Sequence, residues 1–333
     1  MLRHVSNPPN PWQTCQVEYL DEVPEARLEV FEDRTRSILS RNDAPTVGFE
    51  YGLNPYRGCQ HACAYCEARR RHELLGFGAG TDFDSKIVVK PRAAELLRDA
   101  FEAPSWKGDV VVFSGATDCY QPLEASYGLT RQCLEVCSEY ANPVAIITKG
   151  ALVERDIDVL IRIADVARVT ISISVPIWDA HVARKIEPLV PSPARRIRTI
   201  ERLAAAGLDV GVSIAPLMPG LDDGMPTILK EASRAGARRA VLSFLRLPAP
   251  VDQIFAERLR AELPLRADKV LSRTKEPEHA KIVAALFAAT CRRLGLAHAP
   301  AGDDFANTPS AGPLEQRTFR RPPRAGDQMG LFR

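Results

Sequence analysis

The stretch Asn54-Pro55-Tyr56-Arg57-Gly58-Cys59-Gln60-His61-Ala62-Cys63-Ala64-Tyr65-Cys66 decides how the rest of the chain is read. Its three cysteines stand at C-x3-C-x2-C spacing, with an aromatic residue just before the last. Three thiolates can hold three irons of a four-iron, four-sulfur (4Fe-4S) cluster and leave the fourth iron open to a substrate or cofactor. An electron-transfer cluster is normally held by four cysteines, so the open corner points to chemistry at the cluster. The competing reading is zinc, which takes four ligands in tetrahedral array. His61 or His72 would then supply the fourth.

The composition agrees with metal or catalytic use of cysteine. The chain has 333 residues, eight of them cysteine, and a formal net charge of +2. No apolar run approaches the ~20 residues that cross a bilayer. The N-terminal residues Met1-Leu2-Arg3-His4-Val5-Ser6-Asn7 lack an apolar signal core. These features predict a cytoplasmic protein without a membrane span, where cysteines serve metals or chemistry before disulfides. The small net charge announces no polyanionic partner. Cys133 and Cys137 lie four apart, share a helix face and read as core. Cys15 and Cys291 belong to no motif.

From residue 47 onward, short β-branched runs alternate with amphipathic stretches. The runs cover residues 47–53, 109–114, 143–148, 168–175, 210–215 and 240–245. The helical patterns cover 91–102, 129–140, 154–164, 193–206 and 226–235. Pro91, Pro193 and Pro226 sit where a first helical turn tolerates proline. Gly207 and Gly236 sit where helices stop. Such alternation predicts parallel βαβ units with right-handed crossovers, hence an α/β fold built on a partial (β/α)6 TIM-type barrel. The expected organisation is an N-terminal extension over 1–46 with one helix at 27–40, and the barrel over 47–250. A helical extension follows over 251–298, with stretches at 251–271 and 277–294, and a flexible tail over 299–333. Strand C-termini are where such folds build sites. The first strand runs straight into the cysteine loop, so Thr117, Asp118, Lys149 and Ser174, at later strand ends, are expected beside it.

Further motifs follow in order: Trp178, Ile186-Glu187-Pro188, Pro191-Ser192-Pro193, Arg195-Arg196, Leu203, Ala206-Gly207 and Pro219-Gly220-Leu221-Asp222-Asp223. With the cysteine loop, this order resembles the radical S-adenosylmethionine (SAM) enzymes, and within them the branch similar to spore photoproduct lyase, the DNA repair enzyme of spores. The resemblance covers about residues 47–250. It implies that Cys59, Cys63 and Cys66 bind a 4Fe-4S cluster and that SAM occupies its open iron. An external one-electron reductant of flavodoxin or ferredoxin type would drive formation of a 5′-deoxyadenosyl radical. That radical would abstract a hydrogen atom from a substrate, which this branch implies is damaged DNA. By the same resemblance Tyr65 lies near the adenine, Thr117 and Asp118 near the SAM amino group, and Lys149 and Ser174 (or Ser172) contact SAM. One departure stands out. The lyase carries its hydrogen-donating cysteine where this chain reads Ser114-Gly115-Ala116, so Cys119, three to five residues later, is the candidate donor.

Two alternatives remain open at this level. The enzyme would act on a small molecule or a protein side chain, or the chain would be a non-enzymatic zinc-binding interaction module. Arg57 and Arg69-Arg70-Arg71 flank the cysteines, either as a phosphate-holding group or as a solvated helix face. Glu187 either orients a ribose or an arginine, or forms a surface salt bridge. Finally, Gln328-Met329-Gly330-Leu331-Phe332 resembles the Q-x-x-L-F peptide by which bacterial repair and replication proteins bind the sliding clamp. Gln328 would bond at the edge of an apolar cleft that takes Leu331 and Phe332.

Overall fold

The structure is a computed structural model that describes residues 3–5, 28–42, 50–114, 116–221, 223–274, 276–298 and 318–323. Six parallel strands lie side by side in chain order: β1 (Tyr51–Leu53), β2 (Val111–Phe113), β3 (Val144–Thr148), β4 (Val169–Ser174), β5 (Val210–Leu217) and β6 (Arg239–Phe244). Sequential order results when every βαβ crossover turns with the same hand. It is the partial (β/α)6 barrel expected from the alternation. The sheet stays open, because Leu39–Arg41 pairs antiparallel outside β1 and Ala297–His298 pairs parallel outside β6.

Side chains alternate across a strand, and here the two faces differ in kind. Val144, Ile146, Val169, Ile171, Ile173, Val210, Val212 and Leu242 join one core with Leu97, Phe101, Leu134, Ile163, Leu203 and Leu229 of the surrounding helices. Those helices are α1 (Ala93–Glu102), α2 (Leu129–Glu139), α3 (Ile157–Ala164), α5 (Pro193–Ala205) and α6 (Met225–Arg234), whereas α4 (Ala180–Ile186) packs on Cys63, Ala64 and Tyr65 of the cysteine loop. The alternate positions face the barrel interior and are mixed: Gly52, Ala145, Ser172, Gly211 and Ser213 are small or polar, while Val112 and Val241 pack with Ala145 in a separate apolar cluster. The outer face therefore supplies most of the hydrophobic stabilisation. Local capping fixes the helices that follow β4. Asp179 accepts the N–H groups of His181 and Val182 at 2.9 and 3.1 Å, and Ser192 Oγ accepts that of Arg195 at 3.2 Å.

Three expectations need correction. The helix expected at 27–40 is instead two strands, Glu29–Glu32 and Leu39–Arg41. Glu29–Glu32 pairs parallel with Lys86–Val89 and buries Val30 completely, so strand pairing overrides local helical preference. These two strands form a second, four-stranded sheet with Arg3–Val5 and Tyr56–Arg57. The stretch expected as one helix at 251–271 breaks into α7 (Val251–Glu262) and α8 (Pro264–Arg273), because Pro264 cannot continue the hydrogen-bond ladder. Helix α9 (Pro277–Leu294) follows as expected. The third correction lies in the C-terminal segment read as a flexible tail, where residues 318–323 are docked. The Phe319 ring lies 5.7 Å from that of Phe101 and 6.1 Å from that of Tyr140. Thr318 Oγ1 donates to Ala141 O at 2.9 Å, and Arg321 Nη2 to Ala103 O at 2.8 Å. Gln328, Leu331 and Phe332 lie outside the described residues.

Lys90 ends the strand Lys86–Val89 and sits only 9% exposed beneath the end of β1, where its Nζ donates to Asn54 O at 3.0 Å. Burial, the largest cause, lowers its pKa from 10.5 to about 8. Between these values the unfolded chain holds one proton more than the folded chain, so Lys90 makes stability rise with pH. Urea denaturation of the metal-free protein should show wild type gaining roughly 3 kcal/mol on Lys90→Met between about pH 7 and 10.5. Phe319→Ala should lower unfolding free energy by about 2 kcal/mol in the same assay, less than the ~3–5 kcal/mol of a fully buried phenylalanine.

Candidate active site

The turn into the cysteine loop requires glycine at one position. Gly58 has φ +78°, and a Cβ there would lie 3.0 Å from Lys86 O, Phe83 O and Ile87 Cδ1. The loop then folds over the C-terminal edge of the sheet. Cys59 and Cys63 are buried and Cys66 is half-buried, all three as free thiols. Buried Arg69 stitches the loop to the segment beyond it. Its Nε donates to Cys63 O at 2.9 Å, its Nη1 to Ala79 O and Gly80 O at 3.0 and 2.8 Å, and its Nη2 to Asp84 Oδ1 at 2.7 Å. Arg69 is therefore part of the loop's own architecture, while Arg70 and Arg71 are exposed.

Burial raises all three thiols, Cys63 to about 12, and Cys59 feels both other cysteines. Lys149 and Arg69 act in the opposite sense on Cys63 and Cys66. Mutual proximity, burial and neighbouring cations are the donor set that a cluster held by three thiolates asks for, since coordination removes the thiol proton outright. The residues therefore fit a 4Fe-4S cluster. They fit zinc poorly, because neither histidine offered as a fourth ligand joins the thiols. His61 Nδ1 faces Asp118 Oδ2 at 3.3 Å, and His72 packs on the rings of Phe77 and Phe83. Among the described residues, no three His, Cys, Asp or Glu side chains gather as a single ion would need.

Asp118 is the junction of the site. Its Oδ1 accepts from Thr148 Oγ1 at 2.6 Å and Tyr120 N at 2.9 Å, and its Oδ2 accepts from Lys149 N at 2.8 Å. Burial would raise this carboxyl, but His61, Lys149 N–H and Thr148 together hold it at about 2. Both oxygens are thus engaged within the protein. Thr117 is similarly engaged, as its Oγ1 accepts from Asn54 Nδ2 at 2.8 Å and donates to Tyr56 O at 3.0 Å. The two residues bind strand ends together. The close approach of these strand ends also requires Gly150, where a Cβ would stand 2.4 Å from Tyr120 O.

Lys149 differs. Its Nζ lies 5.7 Å from the centre of the Tyr65 ring and makes no hydrogen bond or ion pair among the described residues. Burial works against its charge, but Cys63, Glu187 and Asp118 outweigh it and raise its pKa. A fixed, uncommitted cation therefore stands beside the thiols. Ser174 ends β4 with its carbonyl taken by Arg196 Nη1 at 2.8 Å. Ser172, two residues earlier on the interior face, is fully buried, and its Oγ has no partner.

Cys119 is not at this site. It is 0% exposed within the helix-covered core. Ser114 adopts φ +79° and its Oγ accepts the Cys119 N–H at 2.8 Å, while Thr130 Oγ1 donates to Cys119 O at 2.7 Å. This turn brings Asp118 to the loop and sends Cys119 to the opposite face.

Two contributors, Gln121 and the His61–Asp118 contact, escaped the sequence reading, while Glu187 takes the arginine-orienting one of its two readings. Gln121 Oε1 accepts Gln60 N–H at 3.0 Å, and its Nε2 donates to Gly58 O at 3.1 Å. His61 was weighed only as a zinc ligand, whereas it faces Asp118. Glu187 is 1% exposed, accepts from Tyr65 OH and pairs with Arg196 Nη2 at 2.7 Å, so it is not a surface salt bridge. A cavity of about 710 Å³ elsewhere, lined by residues that include Asp33, Arg36, Arg92 and Asp99, shares no residue with this site.

Comparison with known proteins agrees with this geometry. An uncharacterized protein of Mycobacterium tuberculosis is 37% identical over 198 residues, which is 59% of this chain and 58% of the relative. An uncharacterized protein of Methanocaldococcus jannaschii is 28% identical over 198 residues, covering 60% of this chain and 71% of its own. The chain thus spans less than two thirds of the mycobacterial relative. A structure of spore photoproduct lyase complexed with dinucleoside spore photoproduct superposes with a TM-score of 0.61 at 17% identity, covering 83% of this chain and 81% of that one. At that identity the likeness establishes a shared fold. The sequence pattern of the radical SAM superfamily matches residues 53–232. With more than half of its length inside that pattern, this chain belongs to the radical SAM superfamily.

Proposed function

We propose that this protein is a radical SAM enzyme. The observation that carries the reading is a loop holding three free cysteine thiols, two of them buried and one half-buried, with the uncommitted ammonium of Lys149 over the ring of Tyr65 between the last two. Cys59, Cys63 and Cys66 would hold the cluster, Lys149 the SAM carboxylate, and Ser174 or Ser172 a polar edge of SAM. Tyr65 would present its ring to the adenine. When bound and reduced by one electron from an external donor of flavodoxin or ferredoxin type, the cluster and SAM supply a 5′-deoxyadenosyl radical that abstracts a hydrogen atom. The chain's own task is to exclude water and stray hydrogen donors around that radical. Burying Cys119 in the outer core serves this task, because an exposed thiol would quench the radical.

We favour a nucleic-acid lesion, supported by the lyase-like fold and by the resemblance of Gln328-Met329-Gly330-Leu331-Phe332 to a sliding-clamp peptide. A small molecule or a protein side chain is the second reading, which the lack of a thiol donor at the lyase position favours. Among the described residues no helix is long and apolar enough to cross a membrane.

Anaerobic reconstitution with iron and sulfide, followed by SAM and dithionite, should release 5′-deoxyadenosine. Cys59→Ala should abolish it, and wild-type protein that releases none would sink the reading. Lys149→Ala should keep its iron yet bind SAM at least about tenfold more weakly, the cost of losing a charge-assisted contact. Purified clamp should retain the full chain and release a form lacking residues 328–332; retention of the shortened form would exclude the peptide.

A further inference from the structure

The cysteine loop is tethered in three directions, and the tethers do different work. Arg69 ties it to residues 79–84, which follow it in the chain, and so fixes the loop's own shape. Gln121 and the His61–Asp118 contact tie it to the loop after β2. The third tether crosses to the far side of the barrel mouth. Ala64 N donates to Ile186 O at 3.0 Å, and Tyr65 OH donates to Glu187 Oε1. The other Glu187 oxygen accepts from Arg196 Nη2 at 2.7 Å, and Arg196 Nη1 donates to Ser174 O at 2.8 Å.

Tyr65, Glu187 and Arg196 are 5%, 1% and 1% exposed, so this chain of contacts runs wholly through the interior. It joins the residue between two cluster cysteines to the last residue of β4. We infer that Tyr65, Glu187 and Arg196 form a brace that sets the distance between the cysteine loop and the end of β4, and so positions the cluster against the strand-borne SAM contacts. The inference rests on the proposed function and deepens it.

The brace is suited to positioning by its chemistry. A guanidinium is planar and presents its donors in a fixed fork, so Arg196 can hold a carboxylate and a carbonyl at one set angle. Glu187 is ionised, and a hydrogen bond to an ionised group is shorter and stronger than a neutral one. Breaking a buried ion pair by removing one partner is strongly destabilising, so a charge-deleting variant would confuse positioning with folding. The Tyr65 hydroxyl is the member that can be removed with the ion pair intact. Its ring, and any contact the ring makes with an adenine, remains in Tyr65→Phe.

The test is a double-mutant cycle on reconstituted protein, with Tyr65→Phe, Arg196→Lys and the pair. Lysine keeps the charge of Arg196 but presents a single ammonium instead of the fork. The readouts are iron and sulfide content, melting temperature, SAM dissociation constant by equilibrium dialysis, and the change that SAM causes in the reduced-cluster EPR spectrum. Tyr65→Phe should match wild type in iron and sulfide and melt only a few degrees lower, the cost of the lost donor, yet bind SAM about tenfold more weakly, the effect of one hydrogen bond to a charged group. Its SAM-induced EPR change should be altered. If the residues act as one unit, the double variant should also sit near tenfold, whereas independent contributions would multiply to about a hundredfold. A Tyr65→Phe dissociation constant within about twofold of wild type overturns the inference. So does a multiplicative double variant, or loss of iron from Tyr65→Phe. Should Arg196→Lys fail to fold, the Tyr65→Phe arm decides alone. Failure of wild type to bind iron or SAM would instead count against the proposed function.

Discussion

One buried carboxylate organises the mouth of this barrel. Asp118 takes hydrogen bonds from the Thr148 hydroxyl and the Lys149 and Tyr120 backbones, and it faces His61 across the cysteine loop. Thr148 and Lys149 come from the end of β3, Tyr120 from Asp118's own loop after β2 and His61 from the cysteine loop, so one side chain ties β2's end, β3's end and the loop together. A buried charge is tolerable only when its oxygens are satisfied, and here they are. Lys149 is held by its backbone to Asp118, which leaves its side chain free to serve a ligand.

The same division recurs across the site. Arg69 and Arg196 are fully buried guanidiniums, yet each spends its donors on carbonyls and a carboxylate of the protein. Their function is geometric. Among the described residues, Lys149 Nζ and Ser172 Oγ are polar groups at the site without such commitments. Hydrophobic burial, the main driving force of folding, is concentrated on the opposite face of the sheet. Stability and chemistry are therefore carried by alternate residues of the same strands.

That separation explains which parts of the fold could be read locally. Strands such as Val169–Ser174 and helices such as Pro193–Ala205 announce themselves through periodicity, proline and caps. Glu29–Glu32 does not, since its strand identity comes from pairing with Lys86–Val89, more than fifty residues away. Asp179, a good N-cap by residue type, was the available signal for Ala180–Ile186. Cys119 could not be placed from its neighbours, because a left-handed residue at Ser114 rotates the turn by an amount that no spacing rule contains.

By itself the sequence determined membership of the radical SAM superfamily, through three cysteines whose spacing is covalent, and the β–α order, through alternation joined by right-handed crossovers. Only the tertiary structure decided the roles of the charged residues. Asp118, Glu187, Arg69 and Lys149 are alike in the sequence as charged groups near the motif. What separates three architectural residues from one uncommitted cation is which donors and acceptors lie within hydrogen-bond reach. That is set by distances between elements remote in the chain.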